Sequence, residues 1–243
     1  VKNGLITILK GLKIYTKFMK KMNFSYHNIC LNLCTICNLK CSWCYNQTDK
    51  KNFLSLNDFS DFYTFIIKQN IDKVVLIGGE PTVHPDFISI LNILADKQIY
   101  LTSNGLMFSN KEFLNNCIKT QKFLDGKMVG LKSISISLKG YDEASFFSTT
   151  KTNKFKYLCH AIENLNKCNI PISYSYIFNS HIPTGEQKNF LLFLKHYQIS
   201  KIIISEPRPY FNGDKIIHTK TIDNLKDFLY YLESNDITTY FQP

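Results

Sequence analysis

The sequence predicts a parallel α/β fold. Three observations lead there. Strand-like and helix-like runs alternate about six times, with no Gly/Ser linker and no low-complexity segment between them. Strands joined through crossover helices run parallel. Three of the strand-like runs, Val74-Val75-Leu76-Ile77, Ile134 to Leu138 and Ile202-Ile203-Ile204, are nearly unbroken apolar or β-branched. Strands covered on both faces read this way. The unusual residues follow strand ends: Cys37 to Cys44, Gly78 to Pro81, Ser103-Asn104, Ser137 to Gly140 and Glu206 to Arg208. In parallel α/β folds that rim carries the site. Hydrophobicity alone does not separate an open doubly wound sheet from a barrel.

The elements can be taken in order. Lys2 to Met22 carries Leu5, Ile8, Leu9, Leu12, Tyr15, Met19 and Met22 at helical spacing, with lysines around them. It reads as an amphipathic N-terminal helix packed on the main body, or else as a basic membrane-surface or partner-binding helix. Tyr26 to Leu33 is a short strand leading into the cysteines. Leu56 to Asn70 is a helix, with Asn57 as a candidate cap before Phe59, Phe62, Phe65 and Ile66. Lys73 to Ile77 is a strand ended by Gly78-Gly79, and Asp86 to Lys97 a helix. Ile99 to Thr102 is a strand, Asn110 to Phe123 a helix, and Leu131 to Leu138 a strand ended by Lys139-Gly140. Lys154 to Lys167 is a helix, Ile170 to Phe178 a strand, Gly185 to Tyr197 a helix, and Lys201 to Ser205 a strand. Ile222 to Glu233 closes the series as a helix, with a short strand expected at Ile237 to Tyr240.

Composition bounds the function classes. The 243 residues are 44% hydrophobic and 14% aromatic, which excludes global disorder. No apolar run approaches the length of a membrane span. The net charge of +10 comes almost entirely from scattered lysines, Arg208 being the one arginine. Base and phosphate readout favours the arginine fork, so the charge reads as solvated surface rather than a nucleic-acid footprint. Of eight cysteines, Cys30, Cys34, Cys37, Cys41 and Cys44 crowd into one short stretch. Thiols this close would close only tiny disulfide loops, and no secretory signal precedes them. The expected compartment is reducing and cytoplasmic, with the thiols engaged in metal or redox chemistry.

Cys37, Cys41 and Cys44 form Cys-x-x-x-Cys-x-x-Cys. Three such thiolates can each hold one iron of a [4Fe–4S] cube and leave the fourth iron open to a small chelating molecule. Two other readings stand beside this one. One is a structural zinc site including Cys34, which the short spacing would cramp. The other is a four-cysteine electron-transfer cluster using Cys34 or Cys30.

The triad, with Trp43 just before its last cysteine, resembles the signature of the radical S-adenosylmethionine (SAM) superfamily. Gly78-Gly79-Glu80-Pro81, at the end of the next strand, matches a second motif of that family. The resemblance covers about Tyr26 to Arg208. It implies a partial (β/α)6 TIM-like barrel, placing a helical extension over 1–24, the barrel core over 25–208, and a helix and short strand packed on the core over 209–243.

It further implies that Cys37, Cys41 and Cys44 ligate the cluster and that SAM chelates the remaining iron. Trp43 would border the adenine, while the Gly78-Gly79 backbone and the Glu80 carboxylate would meet the SAM ammonium group, with Pro81 stiffening the turn. Ser103 and Asn104 would face the methionyl and ribose groups. Ser135, Ser137 and Lys139 end the fourth strand. Ser137-Leu138-Lys139 resembles an Asp-x-Lys element of the glycyl-radical-enzyme activases, with Ser in place of Asp, and Lys139 would pair with the SAM carboxylate. Glu206 and Arg208 follow the sixth strand, where Arg208 suits a carboxylate of SAM or of substrate. His84 reads as a helix-entry residue, and Tyr176 as core. Cys117, Cys159 and Cys168 read as small thiols on helices.

The implied chemistry is reductive cleavage of SAM to a 5′-deoxyadenosyl radical, with electrons from a flavodoxin or ferredoxin. A short, laterally open barrel with a basic surface suits a peptide or protein substrate. A nucleotide or small metabolite is the alternative. A noncatalytic nucleic-acid-binding module has no need of the Gly-Gly-Glu run.

Overall fold

In the computed structural model the described residues are 28–42, 44, 46, 52–178, 184–205, 211–212, 215–216 and 222–242. The N-terminal helix expected over Lys2 to Met22, the expected boundaries after residues 24 and 208, and Trp43, Glu206 and Arg208 lie outside them.

Seven parallel strands form the body: β1 (Asn28–Asn32), β2 (Lys73–Ile77), β3 (Gln98–Ser103), β5 (Lys127–Leu138), β6 (Ile172–Ile177), β7 (Lys201–Ser205) and β10 (Thr238–Gln242). They pair in that order, and β4 (Lys122–Leu124) joins β5 antiparallel from the side. Between them lie α1 (Leu56–Lys68), α2 (Phe87–Ile93), α3 (Lys111–Ile118), α4 (Glu143–Thr150), α5 (Phe155–Leu165), α6 (Thr184–His196) and α7 (Ile222–Glu233). A two-residue ribbon, β8 (Phe211–Asn212) with β9 (Lys215–Ile216), follows β7.

The order settles what hydrophobicity left open. A doubly wound sheet reverses its strand order at a switch point. Here each parallel strand is laid beside the last, so right-handed crossovers put every helix on one face. The sheet curls as a partial TIM-like barrel. β10 adds a seventh parallel strand, in register from Thr238–Lys201 to Gln242–Ser205.

Side-chain alternation gives the sheet two unlike faces. Val74, Leu76, Ile99, Leu101, Ile134, Ile136, Leu138, Ile202 and Ile204 are fully buried against the helices. The intervening Ile77, Thr102, Ser137 and Ile177 look into a cleft on the concave side.

Three expectations need correction. The helix starting at Leu56 is capped by Ser55, not Asn57: the Ser55 hydroxyl accepts from Asp58 N at 3.2 Å. The helix expected over Asn110 to Phe123 stops at Ile118. Phe123 belongs instead to the β4–β5 hairpin, whose Asp125-Gly126 turn has φ of 49° and 75°, the double left-handed turn that matches strand twist. Cys168 lies in the turn after α5, donating to Asn164 O at 3.3 Å, rather than on a helix.

Candidate active site

The strand ends meet at one rim. Leu33 N donates to Ile77 O at 2.9 Å, extending the β1–β2 ladder by one step. Beyond it the cysteine loop is stitched to the Gly-Gly turn: Gly79 N donates to Cys34 O at 2.7 Å and Glu80 N to Ile36 O at 2.8 Å. A Cβ on Gly78 would lie 2.8 Å from Cys34 O, and one on Gly79 would lie 2.4 Å from Ile36 O. The glycines thus allow a close approach of chain to chain, in addition to lining the cleft.

The far side of the loop is held by α4. Lys40 N and Ser42 N donate to Thr150 O and Thr149 O at 3.1 Å each. These are C-terminal carbonyls of the helix, which lack partners within it. Lys154 Nζ donates to Asn38 O at 3.2 Å. Sequence reasoning missed α4 and its role here. The Asp142-Glu143 pair followed by Ser145 is the signal that marks its start.

One cleft gathers Cys37, Cys41, Cys44, Gly78, Gly79, Glu80, Ser103, Asn104, Ser137 and Lys139, and it also takes in Leu39, Ile77, Thr102 and Ile177, which were not anticipated. Pro81 is buried in the short turn Pro81–Val83, behind this wall. Ser135 stands two residues before Ser137 on β5, on the same face and deeper in the barrel.

Cys34 is set apart from the triad. It is buried, and its thiol donates to Glu80 O at 3.3 Å and Ile36 O at 3.4 Å. Among the described residues no three His, Cys, Asp or Glu side chains converge on a single metal ion. The three cleft thiols are instead spread around a common space while remaining electrostatically coupled.

Burial pushes the Cys37 thiol up to about 11. Burial also raises Cys41, and the Lys139 ammonium opposes that rise. Cys37 therefore keeps its proton at neutral pH until a cationic partner displaces it. Lys139 Nζ is held by Ser137 Oγ at 2.7 Å and lines the same cleft as the thiols.

Glu80 is 1% exposed. Its Oε1 accepts from Thr82 N at 3.1 Å, Thr82 Oγ1 at 2.5 Å and Ser103 Oγ at 2.8 Å, and its Oε2 accepts from Asn104 N at 2.7 Å. Burial raises its carboxyl and these donors oppose the rise. The residue expected only at a ligand also ties the end of β2 to the end of β3.

His84 is buried at the helix entry. Asp86 N donates to its Nδ1 at 3.0 Å, which leaves Nε2–H to donate to Leu54 O at 2.8 Å. Tyr176 is core, its ring 4.7 Å from Phe190.

A parallel partial barrel with three thiols, a backbone cradle and a lysine converging at the C-terminal rim defines an iron–sulfur enzyme site of the barrel type. The donor set is chemically right for a cubane held by three thiolates, and the glycine turn leaves backbone open to a ligand beside it. A family model described as Radical SAM superfamily matches residues 31–191. The chain belongs to the radical SAM superfamily, whose cofactors are a [4Fe–4S] cluster and SAM, and it is an enzyme.

Curated relatives include the GTP 3′,8-cyclase of Mannheimia succiniciproducens, 29% identical over 57% of this chain and 40% of that protein. Another is the GTP 3′,8-cyclase of Haemophilus influenzae (strain 86-028NP), 25% identical over 72% of this chain and 51% of the relative. The chain thus spans about half the length of the curated relatives it matches. Among solved structures, Streptococcus suis SuiB bound to precursor peptide SuiA superposes with a TM-score of 0.72 at 14% identity, covering 98% of this chain and 54% of that one. Methylornithine synthase (PylB) gives 0.62 at 12% identity, covering 87% of this chain and 63% of that one. At these identities the likeness is one of fold.

Proposed function

We propose that this chain is a radical SAM enzyme acting on a peptide or protein, in a reducing, cytoplasmic setting. The observation that carries the reading is the convergence of Cys37, Cys41, Cys44, Lys139 and the Gly78–Glu80 turn in one cleft, at the mouth of a hydroxyl-lined barrel face. When bound, the cluster and SAM supply one-electron cleavage of the sulfonium to methionine and a 5′-deoxyadenosyl radical, which takes hydrogen from substrate.

The chain's own residues then have separable tasks. Cys37, Cys41 and Cys44 would each hold one iron, while the carbonyls of Gly78 and Gly79 with Glu80 would accept from the SAM amine. Lys139, fixed by Ser137, would hold the SAM carboxylate. Ser103, Trp43, Glu206 and Arg208 keep the cofactor-side roles the resemblance implies, Trp43 beside the adenine and Arg208 at a carboxylate. Leu39, Ile77 and Ile177 exclude water from the reacting centre. Electrons come from a flavodoxin or ferredoxin.

The peptide reading is supported by what lies beneath the cleft. Strand registers place Thr102 beside Ser135 beside Ser173, then Ser137 beside Ser175, with Ser205 opposite Ile177. Hydroxyls both donate and accept, which suits the alternating N–H and C=O of a peptide. The +10 charge suits an acidic partner. A nucleotide is the second reading, favoured by the relatives named GTP 3′,8-cyclase.

Anaerobic reconstitution tests the proposal. The protein should take up about four irons and release 5′-deoxyadenosine from SAM with dithionite. Cys41→Ala should lose both properties. A protein that loads iron but never cleaves SAM overturns the reading. Incubation with the product of a short reading frame beside the gene should change the mass of that peptide, whereas consumption of GTP would select the nucleotide reading.

A further inference from the structure

Asn104 does not extend its amide into open space. It is 6% exposed, and Leu106 N donates to its Oδ1 at 3.1 Å. That bond fixes the amide's orientation, because a backbone N–H must meet the oxygen. The Nδ2 group then has two hydrogens to place. One goes to Asn38 Oδ1 at 2.7 Å, and the other is directed at Cys37 Sγ at 3.8 Å.

Leu39 N donates to the same sulfur at 3.4 Å. The Cys37 thiol in turn points to Asn38 Oδ1 at 4.0 Å. Once Cys37 gives up its proton on ligation, its sulfur only accepts, and the two N–H groups are already in place to donate to it. Cys41 and Cys44 have no such side-chain donor among the described contacts.

We propose that Asn104 sets the reduction potential of the cluster through Cys37; this rests on the cluster reading above. A hydrogen bond to a ligating sulfur favours the more negative, reduced cluster and raises its potential. The assignment differs from the role implied by resemblance, in which Asn104 faces SAM. Here it faces a cluster ligand, and the bond from Leu106 N holds it there.

The test is an EPR-monitored dithionite titration of reconstituted protein without SAM, on wild type, Asn104→Asp, Asn104→Ala and Asn38→Ala. Asn104→Asp keeps an acceptor for Leu106 N while removing the donor. Both Asn104 variants should load iron like wild type and titrate at a more negative potential. At the wild-type midpoint their reduced-to-oxidised ratio should fall by about threefold or more, the worth of one weak hydrogen bond. Asn38→Ala should titrate with wild type. Equal midpoints in all four proteins overturn the inference. So does loss of the cluster from both Asn104 variants, which would make Asn104 a prop of the loop. A wild type that binds no cubane is a different result and removes the cluster reading itself.

Discussion

A methyl group on Gly79 would sit 2.4 Å from the Ile36 carbonyl oxygen, which itself accepts from Glu80 N. The Asn46 side chain at 2.9 Å can swing aside, but the Ile36 carbonyl oxygen and carbon, at 2.4 and 2.7 Å, are backbone and cannot. Gly79→Ala should therefore push the cysteine loop outward at Ile36, one residue before Cys37. The expected cost is ~1–3 kcal/mol of stability, as for overpacking elsewhere, together with loss of cluster loading. Thermal unfolding of the apo-protein and iron content after reconstitution check the two parts. At this scale the sequence was most informative where chemistry depends on local spacing: Cys37, Cys41 and Cys44 do line one cleft. Partners drawn from other strands were hidden. Nothing around Glu80 announces that Ser103 and Asn104 will donate to it, because that contact exists only after β2 and β3 pair.

Helix α4 supplies two backbone acceptors to the cysteine loop, so its integrity bears on the site. Its start is a capping box: Ser145 N donates to Asp142 Oδ1 at 2.7 Å, and Asp142 N donates to Ser145 Oγ at 3.1 Å. Asp142→Ala should cost about 1 kcal/mol. Because the helix has only eight residues, fraying at its start loosens its end. Faster hydrogen exchange at the Lys40 and Ser42 amides, with the β2 and β3 amides unchanged, is the expected signature. Exchange confined to α4 itself would show that the helix and the loop are independent. The element escaped sequence reading because Glu-Ala-Ser-Phe-Phe-Ser-Thr-Thr has no clear apolar stripe, and its residues favour strand or cap positions as much as helix. The long buried strands were legible for the opposite reason. Val74 to Ile77 and Ile202 to Ile204 are apolar on both faces, and few other structures accept such runs.

At the scale of the whole molecule, the strand order divides the labour. Among the described residues, those lining the cleft lie between Cys37 and Ile177, on or beside β1 to β6. The last strand, β10, pairs with β7 alone among the described strands and is carried by α7. Phe228 of α7 is fully buried and packs with tilted rings on Phe178 after β6 and on Phe190 of α6, with ring centroids 4.9 and 5.5 Å away. That aromatic trio is what fastens the closing wall to the rest of the barrel. Phe228→Ala should cost about 3–5 kcal/mol, the range for emptying a buried aromatic site. The loss should be uneven: β10 and α7 should exchange with solvent before β1 to β5 do. Reductive cleavage of SAM without substrate should change by no more than about twofold, since Phe228 is not among the residues that line the cleft. Modification of a peptide should fall further, because the hydroxyl-lined face loses its neighbour at Ser205 when β7 is left as an unsupported edge. Equal losses in both assays would mean that the wall and the cofactor cleft unfold as one unit. The sequence suggested this strand only as a short run near Ile237 to Tyr240. Its pairing with β7 depends on the α7 return, which no local pattern encodes.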